Sequence, residues 1–232
     1  MLSILQFSVQ TNCMDQTVLQ AVHLADNYLR FNPSCQPAFV RVIYAMALQI
    51  SIKLNEQMVL SLEDIEALFE YRFSTQMLAN LERHILSLNC FRTNVVTPLD
   101  FVLHLLYAFE ESIFKSGGED NVAGFVDLPV DQIANDTLYL LHYAMSQYDL
   151  SRKKYSSLAI AAICTVIQDV HFDLISTGGC DLQGLRDAFL VESCKLNGKF
   201  GGGDAVADLA EIHEILSLFK EPFRRQAVEM RQ

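Results

Sequence analysis

The chain has 232 residues, 51% of them hydrophobic, and its 28 acidic against 17 basic side chains give a formal net charge of -11 at pH 7. That length can bury a full core, as one large domain or as two of about 110 residues each. The acidic balance disfavours nucleic acid, whose phosphates need a concentrated Lys/Arg face that is not found here, and it suits a protein partner with a basic rim.

Helix signals dominate, and no strand alternation is sustained over several residues, so the class read from the sequence is all-α. A short helix is predicted over about Leu2 to Gln10. A second starts at Asp15 as N-cap and runs to Phe31, where Asn32 and Pro33 stop it. Pro37 suits the first turn of a third helix, which continues to about Asn55. Within it Val42–Ile52 contains no charged residue, and the run ends on Lys53. A helix apolar on every side belongs at the centre of a helical domain, since one apolar stripe suffices at a surface. The Lys53 ammonium must then reach water or a partner, and Glu82 on a later predicted helix is a candidate. Ser61, followed by Glu63 and Asp64, starts a short helix, and Ser74 caps the next, which ends near Asn89.

After Thr97 and Pro98 the helical pattern resumes through Glu110 and breaks at residues 115–121, which read as a surface loop. A long amphipathic helix is predicted from Asp131, followed by a second charge-free run over Tyr155 to Gln168. Thr17 to Tyr28 and Thr137 to Tyr148 share one Thr-to-Tyr spacing, and each segment precedes its charge-free helix. The offset of roughly 115 to 120 residues points to a duplicated helical unit. Helices over about Leu182 to Cys194 and Asp204 to Phe219 would complete the second copy. The predicted organisation is two tandem units of about five helices, residues 1–96 and 97–232, each around a central apolar helix.

No apolar run reaches the roughly 18 residues needed to span a bilayer, and residues 1–10 lack the basic start and cleavage site of a signal peptide. A soluble, intracellular chain is expected. Cys13, Cys35, Cys90, Cys164, Cys180 and Cys194 show no metal-type spacing, so reduced and mostly buried thiols are expected. The histidines form no ligand set, and Gly201 to Gly203 lack the ending of a phosphate loop and read as a turn. No nucleophile, acid/base pair or cofactor loop stands out, so neither enzyme activity nor a metal, cofactor or small-molecule ligand is expected. Taken alone, Lys53 reads as a residue that snorkels to solvent at the negative end of its helix.

The order of several short motifs gives Lys53 another meaning. Asp15–Leu29, then Ala45–Glu56, the acidic-apolar Ser61–Glu66, Leu81–Leu86 and finally Thr97–Phe101 together resemble the first box of a cyclin. In that family the central helix ends in Ala-Ser-Lys-x-x-Glu, which here reads as Ile50 to Glu56 with Lys53 as the lysine. Glu82 stands, without a gap, where the family's partner glutamate lies. Tyr155 to Ala162 resembles the start of the second box's central helix, with Ser157 slightly shifted.

The resemblance implies a regulatory subunit that binds and activates a cyclin-dependent protein kinase, acts in nucleus and cytoplasm, and contributes no catalytic group. It implies that Lys53 and Glu82 grip the start of the kinase's mobile helix, with Ile50, Leu54, Leu86 and Phe91 as the apolar seat. It also implies that the docked helix swings inward and completes the kinase's Lys–Glu ion pair. Cyclins further carry a longer first helix with a Met-Arg-Ala-Ile-Leu motif and an Asp-Trp pair. Leu2 and Ser3 fall at that pair, so the chain is expected to be shortened or divergent, or to start upstream. A groove for Arg-x-Leu substrate motifs would fall on Ile4, Leu5 and Gln6, with Ser3 in place of an aromatic floor. The family's aspartate at Asp26 pairs with an arginine of the first helix, and no arginine stands there. Cell-cycle and transcriptional roles both stay open, and the alternative is a cyclin-fold transcription factor or scaffold without kinase activation.

Overall fold

The computed structural model describes residues 13–116, 130–169, 189–191, 193 and 210–219. Among these every regular element is an α-helix, and the chain divides into two compact units, Met1–Thr97 and Pro98–Gln232. The predicted helix over Leu2 to Gln10, Cys180, Cys194 and the glycine turn at 201–203 lie outside the described residues.

In the first unit, α1 (Asp15–Phe31) starts one residue earlier than the sequence indicates. Met14 is the N-cap and Asp15 the first helical residue, where its charge suits the helix's positive end. No side chain caps this end, and the Met14 backbone N–H is satisfied from afar, donating to Glu56 Oε1 at 2.8 Å. At the other end Asn32 Nδ2 donates to the Tyr28 carbonyl at 2.9 Å, and Pro33 follows.

Pro37 occupies the first turn of α2 (Pro37–Asn55), where its missing N–H costs nothing. Every side chain from Val42 to Ile52 is buried, and α1 and α4 (Thr75–Leu88) pack against this helix. The helix as a whole is long and apolar enough to cross a membrane, although Arg41 and Lys53 bound its charge-free run. The side chains of that run, Val42 to Ile52, are instead covered inside the unit.

The connection that brings Glu82 back to α2 is fixed at several points. Gln49 Nε2, within the core, donates to the Leu60 carbonyl at 3.1 Å. Ser61 then opens α3 (Leu62–Leu68) with a capping box: its hydroxyl accepts from the Asp64 backbone N–H, and the Asp64 carboxylate accepts from the Ser61 N–H. The Ser61 hydroxyl also donates to Asp64 Oδ2 at 2.7 Å, and this bond, with the one from the Ser61 N–H, holds the Asp64 carboxyl below its usual range. Phe73 meets Phe39 and Phe69 edge-on, with ring centroids 5.5 and 5.7 Å apart, and so braces the loop against the start of α2. Ser74 caps α4 by accepting from the Met77 N–H at 3.3 Å. Ser74→Ala is expected to cost about 1 kcal/mol, which a denaturant titration of the intact chain would read as a lower midpoint with an unchanged slope.

Both α3 and α4 end in paired left-handed residues that are not glycine. Glu70 and Tyr71 have φ of 54° and 60°, and Cys90 and Phe91 have φ of 52° and 55°. Each second residue closes a six-residue turn, with Tyr71 N–H donating to the Glu66 carbonyl and Phe91 N–H to the Leu86 carbonyl, both at 2.8 Å. Side chains other than glycine pay about 1 kcal/mol or more each in this region, so the turns keep a strained shape that places Tyr71 and Phe91 outward.

The second unit comprises α5 (Pro98–Ser116), α6 (Val130–Ser146), the single turn α7 (Tyr148–Ser151) and α8 (Tyr155–Asp169), with further helix at 189–191, 193 and 210–219. Helix α5 runs through Lys115 and Ser116, two residues into the predicted loop, whose remainder is outside the described residues. The predicted single helix from Asp131 is broken at Gln147. All side chains from Ser157 to Ile167 are buried, and α5 and α6 pack on α8. Phe189 adds an edge-on contact with Phe109 at 5.1 Å, and Ile212, Ile215, Leu216 and Phe219 join the same core. Ser157 Oγ donates to Glu211 Oε2 at 2.6 Å, and Lys153 Nζ to Glu214 Oε2 at 2.6 Å, tying 210–219 to the start of α8.

Of the four described cysteines only Cys164 is buried, while Cys13 and Cys35 are half-buried and Cys90 is exposed. The expectation of mostly buried thiols fails because three of them sit at helix ends or turns rather than inside apolar runs.

Candidate functional site

The last turn of α2 carries Lys53 out of the core, and α4 lays Glu82 beside it. Lys53 Nζ donates to Glu82 Oε1 at 2.7 Å across 29 positions of sequence. The side chains are 38% and 21% exposed, so the pair is neither sealed in the interior nor free in water. An ammonium has three N–H donors and a carboxylate two acceptor oxygens, and this bond uses one of each. The pair can therefore donate to one backbone group of a partner and accept from another at the same edge.

The apolar residues assigned to this surface divide. Leu54 is 51% exposed and Phe91 66%, while Leu86 is half-buried. Ile50 is 3% exposed and belongs to the core of the unit rather than to its exposed surface. Ile4, Leu5 and Gln6 lie outside the described residues.

Polar groups invisible to periodicity stand behind the pair. Glu56 Oε1 accepts from the Met14 N–H and from Thr17 Oγ1, the latter at 2.6 Å. Asn55 Nδ2 donates to Gln20 Oε1, and Gln20 Nε2 donates to the Thr93 carbonyl. Thr97 Oγ1 donates to Gln16 Oε1 at 2.9 Å. Farther along α1, Asn27 Nδ2 donates to Asn89 Oδ1 at 2.7 Å, and Tyr28 meets His84 edge-on with its hydroxyl 3.2 Å from Nδ1. Gln16, Thr17, Gln20, Asn27 and Tyr28 recur at near-helical spacing, so one polar stripe of α1 holds the end of α2, the end of α4 and the segment beyond it.

Asp26, without an arginine in the expected place, accepts a hydrogen bond from the Tyr44 hydroxyl. Burial raises the Asp26 carboxyl above its ordinary value, opposed by this bond and by the nearby His23. Burial likewise raises the Tyr44 phenol, and the Asp26 charge adds to it. Burial lowers the His23 imidazole below its usual 6.5, opposed by Asp26. The unfolded chain therefore protonates at His23 first as pH falls. The His23 contribution is fully present above about pH 6.5 and is lost as pH drops through the lowered folded value. The Asp26 contribution has the opposite sense: it is present below the ordinary carboxylate value and lost as pH rises through the raised one. His23→Gln is expected to flatten the fall in stability between about pH 7.5 and about pH 5.5, checked by urea midpoints of both chains.

Among the described residues no group of three His, Cys, Asp or Glu side chains could hold a metal ion. What the arrangement offers is a lysine–glutamate pair at the end of a buried helix, with exposed Leu54 next to Lys53 and exposed Phe91 on the turn that ends the helix of Glu82. The chain matches none of the curated proteins with which it was compared. Residues 2–94, which include the whole of this surface, match the model of the cyclin N-terminal domain.

Proposed function

We propose that the chain is the regulatory subunit of a cyclin-dependent serine/threonine protein kinase, and that it activates the kinase by docking its mobile helix at Lys53 and Glu82. The observation that carries the reading is the 2.7 Å Lys53–Glu82 pair, partly open to solvent, with exposed Leu54 next to Lys53 in the chain. A helix that arrives by its N-terminal end brings backbone N–H groups for the Glu82 carboxylate. The carbonyl or side-chain oxygens before it suit the Lys53 ammonium, and its apolar face suits Leu54, Leu86 and Phe91. Docking of this kind shifts the kinase toward the arrangement in which its own Lys–Glu pair and metal-holding groups align. The chain supplies no catalytic group in this reading, as is general for cyclins, which regulate rather than catalyse.

The same reading takes Pro98–Gln232 as a second cyclin box around α8, and nucleus and cytoplasm as the places of action. The buried, charge-free α8, clasped by α5 and α6 much as α2 is by α1 and α4, supports the second box. Purified cyclin-dependent kinase catalytic subunits, assayed one by one on a peptide substrate with and without the full chain, test the function. Stimulation of at least one is expected. No stimulation across the whole set, with no kinase retained by the immobilised chain from lysate of its own cells, would overturn it.

A further inference from the structure

The docking surface has two edges that belong to different segments. Lys53 and Leu54 stand on the last turn of α2, and Phe91 stands on the strained turn after α4. Two residues beyond Lys53 lies Asn55, and two beyond Phe91 lies Thr93. Both are held by the same side chain of α1: Gln20 accepts from Asn55 Nδ2 through Oε1 and donates to the Thr93 carbonyl through Nε2. A primary amide is suited to this because it carries an acceptor and a donor at one end of the side chain.

Gln20 is 5% exposed, and its neighbours Val18, Leu19, Ala21 and Val22 are buried and apolar. An apolar residue at this position would avoid the cost of burying an amide, so packing alone gives no reason for glutamine. Thr93 lies where no helix fixes the backbone, after two consecutive left-handed residues. The Gln20 bond is thus a direct constraint on where that segment comes to rest against α1, and it acts on Phe91 together with the Phe91–Leu86 and Arg92–Asn89 backbone bonds of the turn. The ends of α1 and α2 are joined separately through Glu56, which accepts from Met14 and Thr17. Loss of Gln20 therefore leaves the helices attached while removing the bond that ties the segment after Phe91 to α1.

We infer that Gln20 is a positioning residue of the docking surface, setting the separation between the Lys53–Leu54 edge and the Phe91 edge. The inference rests on the reading of that surface as a kinase-docking site. Gln20 touches no partner; it acts by keeping the two edges in a binding-competent arrangement.

The test uses the full chain with 4-fluorophenylalanine in place of Phe91, as the parent and as Gln20→Leu and Gln20→Glu variants. The glutamate variant keeps the acceptor for Asn55 and loses the donor to Thr93, and it serves if the leucine variant does not fold. Fluorine NMR reports the position-91 ring. Calorimetric titration with the purified kinase subunit that the parent stimulates reports affinity. Expected are a shifted or broadened fluorine resonance in folded variant and an affinity about tenfold weaker, equivalent to about 1.4 kcal/mol, as the competent population falls by that factor. A parental resonance, or parental affinity despite a changed resonance, would overturn the inference. Lys53→Ala/Glu82→Ala separates the two readings: if it still binds kinase, the docking reading fails, whereas the fluorine response to Gln20 substitution still decides whether Gln20 places Phe91.

Discussion

The Lys53→Ala/Glu82→Ala chain is expected to lose kinase stimulation by about 30-fold or more, while its melting temperature changes by only a few degrees. The two effects separate because they depend on different surroundings. In the free chain the pair is 38% and 21% exposed, and water compensates much of what its mutual attraction provides, so removal costs the fold at most about 1 kcal/mol. Against a docked helix the same groups become desolvated, and truncating a charge at such a contact typically costs about 2 to 5 kcal/mol. The charge-reversed pair, Lys53→Glu with Glu82→Lys, sharpens the point. It can rebuild the internal ion pair but presents each charge to the wrong end of the partner's groups, so stability returns and stimulation does not. Thermal melts by circular dichroism and initial rates of peptide phosphorylation measure both quantities, and stimulation retained by either double variant would contradict the docking role.

Leu48→Ala is expected to destabilise the first unit by about 2 to 5 kcal/mol, the largest loss of fold stability among the substitutions considered. Leu48 is fully buried at the middle of α2, whose neighbours α1 and α4 leave little room to collapse into the space. A domain of this size has only about 5 to 15 kcal/mol to lose, so a drop in melting temperature of about 10 °C or more follows. Leu54→Ala, six positions later on the same helix but 51% exposed, is expected to shift stability by no more than about 0.5 kcal/mol. Equal losses in the two variants would mean that α2 is not the centre of its unit.

The parts of this site that were legible in the sequence are those set by local chemistry and chain length. Ser61 and Ser74 cap helices because their hydroxyls reach backbone N–H groups three residues on, and Pro37 opens a helix because its ring presets the first turn. The charge-free run belonged inside the unit, and Lys53 at its end had to reach water or a partner, for which the resemblance to the first box of a cyclin singled out Glu82. What stayed hidden depends on groups far apart in sequence. Thr17 and Gln20 are polar and buried, which an amphipathic pattern assigns to the surface. They are inside because Glu56, Asn55 and Thr93 satisfy them there. Asp15 is the better capping residue by type, yet the helix opens one residue earlier, at Met14, whose backbone N–H is satisfied by Glu56, 42 positions on. The left-handed turns at Glu70 and Cys90 carry none of the glycine or asparagine that usually marks them, so the outward placement of Phe91 had no local signal. Ile50 fell on the wrong side of the count because a helix buried on all faces gives no polar stripe from which to orient its last turns.

Photo-crosslinking tests the docking claim most directly. With p-benzoylphenylalanine in place of Leu54, the full chain is irradiated with the kinase subunit it stimulates, and the crosslinked peptide is identified by mass spectrometry. Attachment to the kinase's mobile helix is the expected result. Attachment elsewhere on the kinase, or a stimulated kinase that forms no crosslink at this position, would contradict the account.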